Sequence, residues 1–273
     1  MRDVLQDWRS DLDPAWQPVL AGVEPDFAAI DPSLELAAWE PVFPVRRGRR
    51  LLGGPAGGHM LHAFDGIAPA QVRCVVLGQD PYPDPTFSTG RAFEAGNVAE
   101  WRELEKMFSV SVRCFLQLIA AARTGDGGYA RTTRDWLHLL ADIEAGRLAF
   151  ESAATLADRW VNDGVLLLNS SLTITRFQVA GDPHQVRGHL PLWRPVIRAV
   201  LQHLAARGAP VCFLAFGEQA AAVLAEAAVR EGDGIACILR DHPARGDAVL
   251  AMANPFVLTN RHLARHGAGE IRW

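Results

Sequence analysis

Four short stretches of this chain, at 73–77, 165–168, 211–216 and 236–239, are apolar almost without interruption. A strand with one wet face alternates apolar and polar residues, so runs such as VCFLAF predict strands covered on both faces. Stretches of helical character lie between them, roughly at 97–123, 152–162, 191–207 and 217–231, with a last helix near 255–266. Strand alternating with helix predicts βαβ crossovers and a parallel sheet. The expected fold class is α/β, a three-layer αβα sandwich around a central four-stranded parallel sheet. A length of 273 residues suits one domain, 1–273. Within it, 1–65 is read as an N-terminal helical and loop part, interrupted by Pro14, Pro18, Pro25, Pro32, Pro41 and Pro44, and 66–273 as the core.

No apolar run reaches the roughly 18 residues of a membrane-spanning helix. The opening MRDVLQDWRSDLDPAW lacks the apolar centre of a signal peptide, so a cytoplasmic protein without membrane contact is expected. Cys74, Cys114, Cys212 and Cys237 are far apart and form no C-x-x-C pair, which favours buried thiols over a zinc or iron–sulfur cluster. No metal is expected: no H-x-x-x-H pair lies beside a carboxylate, and His184 and His189 sit in a Gly- and Pro-containing loop. With 27 basic against 31 acidic residues the net charge is −4, and Lys106 is the only lysine. Duplex-DNA binders usually carry a basic surplus, so the balance argues mildly against tight non-specific DNA binding. The cluster Arg46-Arg47-Gly48-Arg49-Arg50 is read as a solvated loop in preference to a nucleic-acid contact.

Open parallel sheets bind ligands beyond the carboxyl ends of their strands. There the sequence places Gly78-Gln79-Asp80-Pro81-Tyr82-Pro83, Asn169-Ser170-Ser171, Gly217-Glu218-Gln219 and Asp241-His242-Pro243. An acid, an amide and an imidazole thus meet on one edge of the sheet. Taken singly each has an ordinary explanation: Asp80 could cap a turn, Asn169 could satisfy loop backbone, and His242 could be a hydrogen-bonded core histidine. Their joint placement favours a site.

Gly78-Gln-Asp-Pro-Tyr82, followed by Gly90 and Phe93, resembles the water-activating loop of family-1 uracil-DNA glycosylases. Val165-Leu-Leu-Leu-Asn169 is similar to that family's second motif, and Asp241-His242-Pro243 to its third. Asn254-Pro-Phe-Val-Leu-Thr-Asn260 resembles its closing helix, and the likeness covers about residues 60–273. The resemblance implies the fold of that family and hydrolysis of the N-glycosidic bond of uracil, or a closely related base, in DNA. It implies catalytic roles for Asp80 and His242 and base-binding roles for Gln79, Tyr82, Phe93 and Asn169. It further implies no cofactor, DNA as partner and a monomer.

The chain departs from the pattern where the family grips phosphates. The Pro-Pro-Ser loop after Phe93 is absent, Gly-Ser after the third strand is Gly217-Glu218, and the third motif continues Ala244-Arg245-Gly246-Asp247. The wedge leucine is Gly246, and the histidine after the motif tyrosine is Pro83. Arg245 and Gly246 remain the candidate DNA contacts. These changes predict a weakened duplex grip and a preference for single-stranded or distorted DNA. Two alternatives stay open: a relative with another modified pyrimidine, nucleoside or nucleotide as substrate, and a non-catalytic base- or DNA-binding protein.

Overall fold

A computed structural model describes residues 1–106, 110–176 and 182–273. In chain order the elements are β1 (Cys74–Gly78), α1 (Val110–Thr124), α2 (Trp136–Glu144), α3 (Leu156–Asn162), β2 (Val165–Asn169), α4 (Leu190–Ala206), β3 (Val211–Phe216), α5 (Glu218–Glu226), β4 (Ile235–Arg240), α6 (Asp247–Leu250) and α7 (Pro255–Arg265). The strands form one parallel sheet in the order β2-β1-β3-β4.

Alternate residues of the strands enter two different cores, which is why the runs carry no polar alternation. Cys74, Val76, Leu167, Leu214 and Phe216 face one side, packed with α1, α3 and α7. Val75, Leu77, Leu166, Leu168 and Phe213 face the other, packed with α4, α5 and the N-terminal segment. That segment supplies Leu5, Trp8, Leu12, Trp16 and Leu20 to the second core, and the Trp16 indole donates to the Ile67 carbonyl at 2.7 Å. Burying side chains of this size contributes about 1.5–3 kcal/mol each. Cys74, Cys114 and Cys212 are buried, whereas Cys237 is only half-buried because β4 is an edge strand.

Several helix boundaries differ from expectation for local reasons. The stretch at 97–123 does not start as a helix, because Asn97 is left-handed (φ 55°) and its Nδ2 donates to the Gly53 and Thr86 carbonyls. A short 3-10 turn, Trp101–Lys106, follows before α1; residues 107–109 of the expected helix lie outside the described residues. The stretch at 217–231 closes early, with Ala228 left-handed (φ 53°) just beyond α5. Asn254 ends the ambiguity at the last helix: its Oδ1 accepts from the Phe256 and Val257 amides and caps α7. No helix among the described residues is long and apolar enough to cross a membrane.

The arginine loop is not the solvated segment expected. Arg46 pairs with Asp11, itself largely buried, and donates to the Asp7 carbonyl at 3.1 Å; Arg47 bonds the Asp11 carbonyl at 2.9 Å and the Asp65 carboxylate at 2.5 Å. These two arginines tie the loop to the N-terminal segment, while Arg49 and Arg50 stay exposed.

Gly90 joins this N-terminal layer to the loop after β1. Its φ is +101°, and a Cβ there would lie 2.0 Å from the His59 carbonyl oxygen, whose own amide donates to Thr89. Only glycine fits both constraints. Gly90→Ala should therefore lower stability by about 2–4 kcal/mol, read as a shift of the urea midpoint at unchanged slope. An unshifted midpoint would mean that the two loops do not depend on this approach.

Candidate active site

Parallel pairing sets the strand ends level. Gly78 stands opposite Asn169 at the last register position of β1 and β2. The approach is so close that a Cβ at 78 would lie 2.6 Å from Asn169 Oδ1. The chain beyond is stitched across: Ser170 donates to the Gly78 carbonyl through both its amide (2.9 Å) and its hydroxyl (2.8 Å), and the Ser171 amide donates to the Gln79 carbonyl at 3.0 Å. The loops after β1 and β2 are thus a single rigid unit.

Above it lies a cavity of about 460 Å³, within the usual range for a small-molecule site. Gln79, Asp80, Tyr82, Phe93, Asn169 and His242 all line it. The structure brings together, from three separate strand ends, every candidate catalytic and base-binding residue of the sequence.

Phe93 forms one wall. It is held left-handed at φ 61°, a conformation costing a non-glycine residue about 1–2 kcal/mol. Ring packing offsets that cost: Phe93 stacks on Phe115 at 4.6 Å with 10° between planes and meets Phe216 edge-on at 5.3 Å. Asn169, only 2% exposed, makes no side-chain hydrogen bond to the described residues, so its donor and acceptor are available to a ligand. The Tyr82 hydroxyl is also buried, and burial pushes its pKa up against the opposing effect of Ser111.

Asp80 is the electrostatic centre. Burial raises its pKa from 3.8 to about 6, against the stabilising amides of Gln79 and Gln185. Gln79 Nε2 donates to Asp80 Oδ2 at 3.0 Å, so this side chain, expected at the base, is turned to the acid instead. His242 is shifted down by burial, and its Nδ1 accepts from the Ala244 amide at 3.2 Å. An accepting Nδ1 in a neutral ring places the proton on Nε2, giving an uncharged donor.

The two candidate DNA contacts lie elsewhere. Arg245 lines an adjoining groove with Glu218 and is paired with Asp241 at 3.5 Å. Gly246 is buried: a Cβ there would lie 2.7 Å from the Thr133 methyl, so position 246 faces inward against the 132–135 turn instead of presenting a contact surface. Asp247 Oδ1 accepts from the Thr133 amide at 2.6 Å on the same turn.

The cavity also holds residues not singled out in the sequence, among them Arg91, Ser111, Asp182 and Gln185. Arg91 is buried and paired with Asp158 at 2.6 Å. His184 and His189 do not act together: both His189 ring nitrogens bond threonine hydroxyls, Thr173 at 2.8 Å and Thr175 at 2.9 Å, and burial pushes its pKa down to about 3. One grouping with metal-ligand chemistry occurs among the described residues, His59, His62 and Asp65. Its members already satisfy one another: His59 bonds Asp65 at 2.8 Å, and Arg47 takes the other carboxylate oxygen. Burial would raise Asp65, but His59, His62 and Arg47 outweigh it and hold the carboxyl well below its usual range.

Similarity to known proteins agrees with this geometry. No family model matches the chain. It is 28% identical over 273 residues to a uracil-DNA glycosylase of Parafrankia sp. (strain EAN1pec), covering 98% of this chain and 97% of that protein. It is 29% identical over 253 residues to one of Mycobacterium tuberculosis (strain ATCC 25618 / H37Rv), covering 90% and 92%. The crystal structure of the wild-type enzyme from Nitratifractor salsuginis superimposes with a TM-score of 0.62 at 27% identity, over 91% of each chain. A mimivirus variant shares the fold at 15% identity, with a TM-score of 0.62 over 99% of this chain and 92% of that one. Fold and sequence define an N-glycosidase homologue. More narrowly, the chain is a homologue of the family-1 uracil-DNA glycosylases.

The raised pKa of Asp80 has a consequence for stability. The folded state holds this proton more tightly than the unfolded one, so the protonated acid favours folding below about pH 4. That contribution is lost as pH rises from 3.8 to about 6 and stays lost above. Asp80→Asn should therefore be more stable than the parent at pH 8, by about 2 kcal/mol after allowance for cavity water, and no more stable at pH 4. Thermal melts of the pair across this range test it; a gain that does not depend on pH would contradict the burial of a charged Asp80.

Proposed function

We propose that this protein removes uracil from DNA by hydrolysing the N-glycosidic bond, with single-stranded or distorted DNA preferred over intact duplex. The observation that carries this reading is the meeting of Asp80 and an uncharged His242 in one cavity with Phe93 and Asn169.

Each residue has a distinct part. A base flipped out of its strand stacks on Phe93 and is read at its edge by the free Asn169 amide. Tyr82 closes the side where a thymine would carry its methyl, an exclusion by shape. As the C1′–N1 bond lengthens, negative charge gathers on the base and positive charge on the sugar. Asp80, ionised above about pH 6, stabilises the sugar cation, and His242 donates through Nε2–H to the base oxygen. Ionised His242 is not required.

Preference for unpaired DNA follows from what surrounds the cavity. Gly246 offers no side chain to fill a vacated stack, Glu218 sets a carboxylate on the adjoining groove, and Arg245 is engaged with Asp241. Like charge repels phosphate there. A duplex must then be opened without a wedge, whereas a single strand has no pairing to break. The open cavity speaks against a purely binding role in which the pocket is closed by its own side chains.

The test is release of uracil from single-stranded and duplex oligonucleotides. We expect faster release from the single strand, an acid limb with a midpoint near pH 6, and losses of about 10²–10⁴-fold in Asp80→Asn and His242→Ala. Equal rates on both substrates would overturn the strand preference. No release from either by folded protein would overturn the assignment to uracil.

A further inference from the structure

We propose that the groove formed by the arginine loop, which carries Arg49 and Arg50, holds the phosphates of the single-stranded substrate on one side of the uracil; this rests on the glycosylase reading above. The groove has a volume of about 940 Å³ and is lined by residues 43–45 and 47–59 together with Pro85, Ser88 and Asn97. Three arginines line it and, among the described residues, no aspartate or glutamate does. A chain with more acidic than basic residues thus gathers positive charge here. Arg47 is engaged by the Asp11 carbonyl and the Asp65 carboxylate. Arg49 and Arg50 are exposed, and neither side chain bonds or pairs with any described residue. Both guanidinium groups are therefore open to charge-assisted bonds with an anion, for which phosphate is a geometric match. Ser88, 4% exposed, lines the same groove, and its hydroxyl has no partner among the described residues. Folded chains seldom leave a buried hydroxyl unpaired, and serine hydroxyls are regular partners of phosphate oxygens.

Groove and catalytic cavity adjoin one loop. Pro83 lines the cavity and Pro85 the groove, so the two are no more than about 7 Å apart along the chain. A strand with its flipped nucleotide in the cavity has its next phosphates within reach of the groove. The join is rigid. The Asn97 side-chain amide donates to the Gly53 carbonyl at 2.8 Å and to the Thr86 carbonyl at 2.7 Å, and the His59 amide donates to the Thr89 carbonyl at 3.0 Å. The arginines are thereby fixed to the loop that presents Asp80. The groove beside His242 is the opposite case. Glu218 and Asp241 line it, Arg240 is bound to the Ala253 carbonyl, and Arg245 is paired with Asp241. Phosphates are attracted on one flank of the cavity and not on the other. A basic groove that follows one backbone needs no second strand.

The test compares the wild-type protein with a variant carrying Arg49→Glu and Arg50→Glu. The substrates are a uracil trinucleotide and single strands extended by about ten nucleotides on only the 5′ or only the 3′ side of the uracil. The variant should raise KM about tenfold on one of the two extended strands, with kcat unchanged, and match the wild type on the other strand and on the trinucleotide. On the affected strand, the slope of log KM against log salt should fall by about 1.4, the counterion release of two phosphates. Arg198→Glu with Arg230→Glu makes the same charge change at exposed positions outside cavity and groove, and should alter neither quantity. Fluorescence anisotropy of a labelled, uracil-free single strand reads binding without turnover and should weaken by the same factor. Thermal melts confirm folding; if the glutamates unfold the chain, Arg49→Gln with Arg50→Gln should show the same one-sided rise at smaller amplitude. A folded variant with wild-type KM and salt slope on every strand overturns the proposal and leaves uracil removal intact. A loss shared equally by both extended strands overturns it too, since it would report a diffuse field and not a groove. If the wild-type protein releases no uracil, the glycosylase reading fails and anisotropy decides the groove alone. Unweakened binding then overturns it, and tenfold weaker binding supports it as a single-strand site.

Discussion

Where β1 and β2 end, Gly78 and Asn169 approach so closely that a side chain at 78 would overlap the Asn169 amide. This contact sets the rest of the site. It requires glycine as the last residue of β1, which frees the chain to turn at once and present Asp80. It fixes Asn169 at the end of a strand paired with β1 along its whole length, so its orientation does not depend on loop motion. The Ser170 and Ser171 bonds to residues 78 and 79 then make the acid and the amide parts of one body. A site held this way can discriminate at the scale of one hydrogen bond, because little reorganisation is left to blur it.

Burial in the cavity works against charge on both Asp80 and His242, raising the pKa of the first and lowering that of the second. On the proposed reading that balance changes during reaction. A positive sugar beside Asp80 restores the cost of its ionisation, and a negative base oxygen meets a donor that brings no charge of its own. Dry surroundings strengthen both interactions at the moment when charge separates. A cationic His242 would instead repel the sugar cation across the same short space.

The parts of this arrangement legible in sequence were those with a short-range cause. The β runs announced double coverage because both core faces draw on the same few residues. The ends of those runs then marked where Asp80, Asn169 and His242 would meet. Gln185 had no such signal: it opens the π-helical turn that leads into α4, and only the fold carries it to Asp80. Arg91 was hidden for the opposite reason, since a charged residue beside a loop glycine reads as surface until Asp158 is seen from 67 residues away. Arg46 and Arg47 misled in the same manner; their partner Asp11 lies 35 positions upstream of Arg46, beyond any local pattern. Helix α2 lies in the long connection between β1 and β2, outside the stretches of helical character, and the Tyr129 hydroxyl, which donates to Asp142 at 2.7 Å, ties it to the core.

The segment after β4 is docked on the turn before α2. Gly246 packs closely against Thr133, and the exposed Asp247 accepts from the Thr133 amide at 2.6 Å. This turn leads directly into α2, so the third motif is anchored to a helix that stands beside α1. The anchor lowers the pKa of Asp247 through the Thr133 amide and hydroxyl. A leucine at 246 would have to displace Thr133, and a serine at 247 would shorten the reach of that bond. Gly246 and Asp247, where the sequence departs from the family pattern, are the residues that dock this loop on the body of the protein. On the proposed reading, grip on a duplex was exchanged for a fixed His242, since residues 242–246 form one hydrogen-bonded turn and Ala244, whose amide orients the imidazole, lies within it.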